Sequence, residues 1–124
     1  MPVGRIVYTR QALPAVEPVN FALDRGDIVV KTDGGSKLAA ATRNAVVAFE
    51  ADCVEPDKHA GWSVTVVGVS REVTDAVEIA RLRQIGLSSW APGTREHFIK
   101  ISLAIVNGRR LSGIGQGSQH ADHI

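Results

Sequence analysis

Cysteine occurs once in this chain, at Cys53. A single thiol closes no intrachain disulfide, so packing has to hold the fold, and a reducing compartment, the cytoplasm, is the expected location. No apolar run approaches the roughly 18 residues of a membrane-spanning helix, and the opening MPVGRIVYTR has no apolar signal core. Aromatic residues make up only 5% of the 124 positions, too few to stack a series of nucleic-acid bases. An excess of charge of one sign is missing too: 14 Lys and Arg stand against 13 Asp and Glu, with no basic block. That removes the electrostatic basis for nucleic-acid binding. No repeat and no linker divides the chain, so one domain is expected over residues 1–112. The glycine-rich GIGQGSQHADHI, residues 113–124, is expected to be a mobile tail.

What the sequence does have is β patterning. Residues 5–9, RIVYT, form the first strand signal. Residues 16–23 alternate, with Val19, Phe21 and Leu23 on one face and Pro18, Asn20 and Ala22 on the other. Asp24-Arg25-Gly26-Asp27 is turn chemistry that joins this strand to residues 28–31 as a hairpin. Further strands are expected at 45–51, 61–73, 98–103 and 105–111. Gly68 inside the long 61–73 run marks a bulge or bend, and Asn107-Gly108 marks a tight turn or bulge. Two short helices interrupt the strands. One spans 37–43 with Ser36 as N-cap. The other spans 76–85, with Asp75 and Glu78 as a capping-box pair and Gly86 as its left-handed stop. The charges of ARLRQ on this second helix are expected to face water. Six or seven short strands with two small helices make a mainly β protein, a closed or nearly closed antiparallel barrel, with an open sandwich as the alternative.

The segment TDGGSKLAAAT, residues 32–42, places two glycines, two hydroxyls and two flanking cations at a strand-to-helix corner. Unpaired N–H groups and the dipole at a helix start attract anions. Gly34 and Gly35 permit close backbone approach, Thr32 and Ser36 donate hydroxyls, and Lys31 and Lys37 supply charge. A phosphate monoester suits this set, although the P-loop spacing is absent. On pattern alone, a plain glycine turn with a capped helix and solvated lysines is the favoured reading. Elsewhere, Trp62 and Trp90 read as packing or interface residues. Cys53, just past a strand, reads as a structural thiol. The acidic stretch 50–57 reads as a solvated strand end and loop. His120 and His123 lie in the tail, which offers no fixed geometry for a metal.

In order along the chain, PVNFAL, DIVVKTDGGSKLAAA, AVVAFEAD, GWSVTVVGVSREV, LSSWAPGTREHFIKI and VNGRR resemble the flavin-binding split-barrel family. This is the pyridoxamine 5′-phosphate oxidase-like superfamily, and the likeness is to its small actinobacterial members. The resemblance implies a six- to seven-stranded antiparallel split β-barrel, paired as a homodimer with two FMN molecules in clefts between the subunits. It implies an oxidoreductase that moves a hydride through the flavin N5 to or from a small molecule. By position, Pro18, Val19 and Asn20 neighbour the flavin ring, and Lys31 and Thr32 reach toward the ribityl chain and phosphate. Ser36 and Lys37 match the phosphate corner, where the family often has an Arg-Lys pair. Trp62 and Ser63 match a strand start that serves the partner's site, Trp90 a covering loop, and Arg95 an added charge. The deazaflavin F420 is the alternative cofactor, and a flavin carrier or sensor, or a barrel without cofactor, are the non-catalytic alternatives. The C-terminal substrate-gripping segment of vitamin B6 oxidases has no counterpart in GQGSQHADHI.

The corner makes a direct prediction. Lys37→Ala should leave the fold intact by circular dichroism and weaken FMN binding about ten- to a hundredfold, the value of one charge-assisted hydrogen bond; unchanged affinity would remove Lys37 from the phosphate site.

Overall fold

The structure is a computed structural model, and it describes residues 3–33, 38, 41–87, 96–111 and 121–123. Its strands are β1 (Val3–Arg10), β2 (Leu13–Asp24), β3 (Asp27–Asp33), β4 (Ala45–Glu55), β5 (Ala60–Glu72), β6 (Glu96–Ile101), β7 (Ile105–Leu111) and β8 (Ala121–His123). Among the described residues there is one long helix, α1 (Ala76–Arg83), and a 3-10 turn at Pro56–Lys58. Leu38 and Ala41 are also helical.

The strands run β4-β1-β2-β3-β6-β5, and β4 pairs with β5 to close a six-stranded antiparallel barrel. β7 and β8 extend from β5 outside the ring. This is the split barrel, not the open sandwich. Alternation decides which side chains enter it. Ile6, Val19, Val30, Val47, Phe49, Val66, Ile99 and Ile101 point inward and form one buried cluster, and the residues between them face outward.

Two-residue turns shape the first hairpins. Arg25 and Gly26 both have positive φ, 51° and 85°, as a type I′ turn requires. Gln11 and Ala12 do the same at 51° and 64°, without the glycine or asparagine that usually announces it.

The split comes from one crossing point. Ser70 pairs with Ile101 of β6, and Val67 pairs with Ile105 of β7. The three residues Ser102, Leu103 and Ala104 therefore oppose only two on β5, Gly68 and Val69, which is a bulge. The Ser102 backbone passes so close that a Cβ on Gly68 would sit 1.7 Å from its carbonyl oxygen. The Ser102 N–H donates to the Val69 carbonyl at 3.2 Å, and the Val69 N–H donates to Ser102 Oγ at 3.1 Å. The hydroxyl thus takes over the acceptor role that the bulge removes from the ladder. Before this point the strand pairs with β3 as well as β5; beyond it the strand pairs with β5 and β8.

A second core lies outside the barrel. Leu82 of α1 covers Val29, Val73, Leu87 and Phe98, with Ile79 and Ile85 beside it. The Asp75 side chain accepts from the Glu78 N–H at 3.0 Å, capping the helix, and Gly86 has φ 78°. Glu78 meets Lys100 Nζ at 2.8 Å with the same carboxylate that reaches Arg71 at 3.4 Å. Lys100 is only 3% exposed and also reaches Asp24 at 2.7 Å. Burial opposes the Lys100 charge, but Asp24 and Glu78 outweigh it and leave the ammonium above its usual pKa. Arg81 first, and Lys100 second, hold the Asp24 carboxyl down at about 2.

Several details differ from the sequence reading. Arg81 does not face water but pairs with Asp24 across the helix–sheet contact. Asn107 and Gly108 make no turn; they pair with Thr65 and Val64 inside the ladder. Cys53 lies within β4, which continues to Glu55 opposite Trp62 and Ala60. Within the C-terminal stretch, Ala121–His123 pairs with β7. Among the described residues no helix is long and apolar enough to cross a membrane.

The crossing makes Gly68→Ala the most damaging substitution among the described glycines. It should cost about 3 kcal/mol or more, because backbone must move. Gly26→Ala meets open space and should cost about 1–2 kcal/mol of left-handed strain. Paired urea melts measure the difference, and equal losses would refute the crossing.

Candidate functional site

β3 leaves the ladder at Asp33, the partner of Glu96. The chain is back in the core at Leu38, which is 2% exposed. The residues between, Ser36 and Lys37 among them, lie outside the described residues, as do Trp90 and Arg95. The segment behind the corner is firmly tied. Thr42 Oγ1 donates to the Leu38 carbonyl at 2.7 Å. Ser70 Oγ, at the end of β5, donates to the Thr42 carbonyl and contacts the Ala45 carbonyl at 3.1 Å. Beside the corner, Thr32 has His97 as register partner. His97 Nδ1 contacts Glu72 Oε1, and Glu72 Oε2 lies 3.4 Å from Arg43 Nε.

The other expected site residues divide between the two sides of the sheet. Val19 and Thr32 are each 5% exposed and face inward; toward an outer ligand they can offer backbone only. Pro18, Asn20, Lys31 and Ser63 occupy the outward positions of β2, β3 and β5, alternating with those buried neighbours. The β2–β3 ladder covers Phe21–Asp24 against Asp27–Val30, so Asn20 and Lys31 lie just beyond its end.

The outer face has two adjacent rows. Val16, Val7, Ala48, Val67 and Ile105 are successive register partners across β2, β1, β4, β5 and β7. Val16 and Ile105 are 60% and 56% exposed. The next row is Pro18, Arg5, Glu50, Thr65 and Asn107. Asn20 and Ser63 each stand one outward position beyond it, on the same side.

Glu50, at the centre of the polar row, was expected in a solvated strand end. It is instead the most unusual group on this face. Its Oε1 is buried with no hydrogen-bond partner among the described residues, although Arg5 Nη1 stands 3.5 Å away as an ion pair. Arg5 is also 3.7 Å from Asp52. Burial first, and then the Asp52 carboxyl, push the Glu50 pKa above its ordinary 4.5, while Arg5 pulls the other way. The sequence carried one faint signal for this cluster, the alternation Glu50-Ala51-Asp52 within a β run.

Trp62 and Ser63 sit at the far end of β5. Ser70, which ties the segment behind the corner, is eight residues along the same strand, roughly 26 Å at the rise of an extended chain. Within one chain, therefore, Trp62 is far from Thr42, which Ser70 holds. Trp62 is 43% exposed, on the inward side, at the rim of an apolar pocket.

Comparison with known proteins places these features in a family. The family model described as pyridoxamine 5′-phosphate oxidase matches residues 1–110. An uncharacterized protein of Mycobacterium tuberculosis is 37% identical over 113 residues, covering 87% of this chain and 74% of its own. The structure of an FAD binding protein from Mycobacterium smegmatis is 32% identical with a TM-score of 0.74, covering 89% of this chain and 84% of that one. An FAD-binding protein from Mesorhizobium loti shares the fold at TM-score 0.74 and 22% identity, covering 90% and 88%.

The Glu50 environment sets a pH dependence. A carboxyl whose folded pKa lies above 4.5 binds its proton more tightly folded than unfolded. Its stabilisation is present below pH 4.5 and is lost as pH rises through the folded value. Glu50→Gln should therefore melt higher than wild type at neutral pH, with the gap closing toward pH 4.5; a lower melting temperature at neutral pH would show that the ionised carboxylate is stabilising.

Proposed function

The chain belongs to the pyridoxamine 5′-phosphate oxidase family, and from that membership we propose that it is a flavin-dependent oxidoreductase working as a homodimer, with FMN as the cofactor. The observation that carries the flavin is the FAD-binding relative, 32% identical over 89% of the chain. Its cofactor contains the FMN moiety, so one phosphate corner serves either nucleotide. The donor set fits a flavin as well. The orphaned Oε1 of Glu50 lies in a polar row between Pro18 and Thr65, on the face where Asn20 and Ser63 also stand, and a flavin ring edge is lined with hydrogen-bonding atoms.

When bound, a flavin supplies a ring nitrogen that accepts or donates a hydride. The chain's residues bind and orient it. Lys31, Ser36 and Lys37 hold the phosphate by charge and hydrogen bonds. Pro18 and Asn20 give the ring a stiff edge, since proline locks its own φ. Glu50 offers its buried, unpartnered Oε1 to that face as a hydrogen-bonding atom. Trp62 and Ser63 serve the site of the other subunit. Two features support the second copy: the distance along β5 from Trp62 to Ser70, which holds Thr42, and the exposed apolar row from Val16 to Ile105, a surface that a lone chain leaves against water.

The absorption spectrum of the purified protein and the mass of what it releases on denaturation test the cofactor. A flavin spectrum with the mass of FMN is expected; FAD or F420 by mass would change the nucleotide, and a colourless protein that ignores added FMN and FAD would end the proposal. Mixed dimers test the shared site. Lys37→Glu and Ser63→Trp chains should each lose flavin alone. Refolded together they should regain about a quarter of the sites, because half the dimers pair one intact corner with one intact β5. No recovery would place the whole site within one chain.

A further inference from the structure

Beyond the split, the barrel's inner face ends in an apolar pocket of about 240 Å³. Its floor is the Phe21–Phe49 pair, with ring centroids 4.8 Å apart and planes at 71°. Ala51 and Val64, register partners on β4 and β5, form one wall. Trp62 and Val106 stand at the rim, 43% and 53% exposed. Among the described lining residues, only Trp62 carries a side-chain polar atom, its indole N–H. Apart from Trp62, the described lining is separate from the residues assigned to the flavin, because Trp62 and Val64 alternate along β5 with the outward Ser63 and Thr65.

We propose that this open barrel end is a binding site for a small, uncharged, flat ring compound. Size follows from volume: an apolar protein cavity of about 150 Å³ takes benzene, so a pocket of about 240 Å³ takes a fused bicycle of about nine or ten non-hydrogen atoms. Chemistry follows from the lining. A ring edge that carries N–H or O–H into the recess finds no acceptor and loses its water, which weakens binding roughly tenfold or more. The two phenylalanine rings already meet edge to face, the arrangement that a third ring can extend. Concavity selects against a protein partner, since the recess lies below the rim on the inner side of the sheet, where a flat surface does not reach. Trp62 is the one described lining residue that the flavin reading also uses.

Indene and indole share shape and differ by one N–H, so the pair tests the proposal on the purified protein. In sealed thermal-shift titrations indene should raise the melting temperature saturably, and indole should need at least about ten times the concentration. Ala51→Leu fills the pocket and should abolish the indene response while melting no lower than wild type. Should that variant not fold, Val106→Phe at the rim should do the same. Val77→Ser, 77% exposed on α1, should leave the response intact. No saturable indene response, an equal response to indole, or an undiminished response in the filled variant overturns the proposal. Flavin content, measured in parallel, should be the same in the filled variants and the wild type.

Discussion

The architecture depends on one backbone crossing, where Ser102 passes over Gly68. A strand that paired without interruption along β5 from Glu72 to Gly61 would carry β3 with it and leave no opening. The extra residue at Ser102–Ala104 breaks that continuity. Up to Ile101 the strand closes the ring against β3. From Ile105 it continues outside the ring, and the inner face opens toward Trp62, Leu103 and Val106. Gly68 permits the approach, and the Ser102 hydroxyl accepts the Val69 N–H that the bulge leaves over. The pocket at the barrel mouth and the widened outer face are both consequences of this point.

The outer surface is divided by what covers it. Over β3 and β6, α1 seals Val29 and Phe98 and is fastened by Asp24, Glu78, Arg81 and Lys100. Over β2, β1, β4, β5 and β7 no described element lies, and an apolar row runs beside a polar one. In the proposed dimer, the apolar row would pack and the polar row would bind. Behind the segment that follows β3, Leu38 and Thr42 anchor the chain to the end of β5.

Much of the fold was legible. The alternation of Val19, Phe21 and Leu23 gave the inward face of β2, Gly26 its turn, Gly68 the bend in β5, and Asp75 the start of α1. These signals are local, and local chemistry is what a sequence displays. The losses are non-local. Arg81 and Asp24 are 57 residues apart and Lys100 and Asp24 are 76 apart, so Arg81 looked like a solvated helix charge. Glu50 looked solvated because its neighbour Arg5 comes from another strand. The Gln11-Ala12 turn was hidden because both residues adopt positive φ without the usual chemistry. Of the candidate site, the outward or inward side of Pro18, Val19 and Asn20 followed from period two. The separation of Trp62 from Thr42 did not, since it needs the full register of β5.

The central claim is that two copies of this chain build one kind of flavin site between them. Sedimentation velocity of the protein saturated with FMN, followed at once in the protein and flavin absorption bands, tests it directly. The flavin band should travel with a particle of twice the 13.2 kDa chain mass. Flavin carried by a 13.2 kDa monomer, or left behind at the meniscus while the protein sediments, would contradict it.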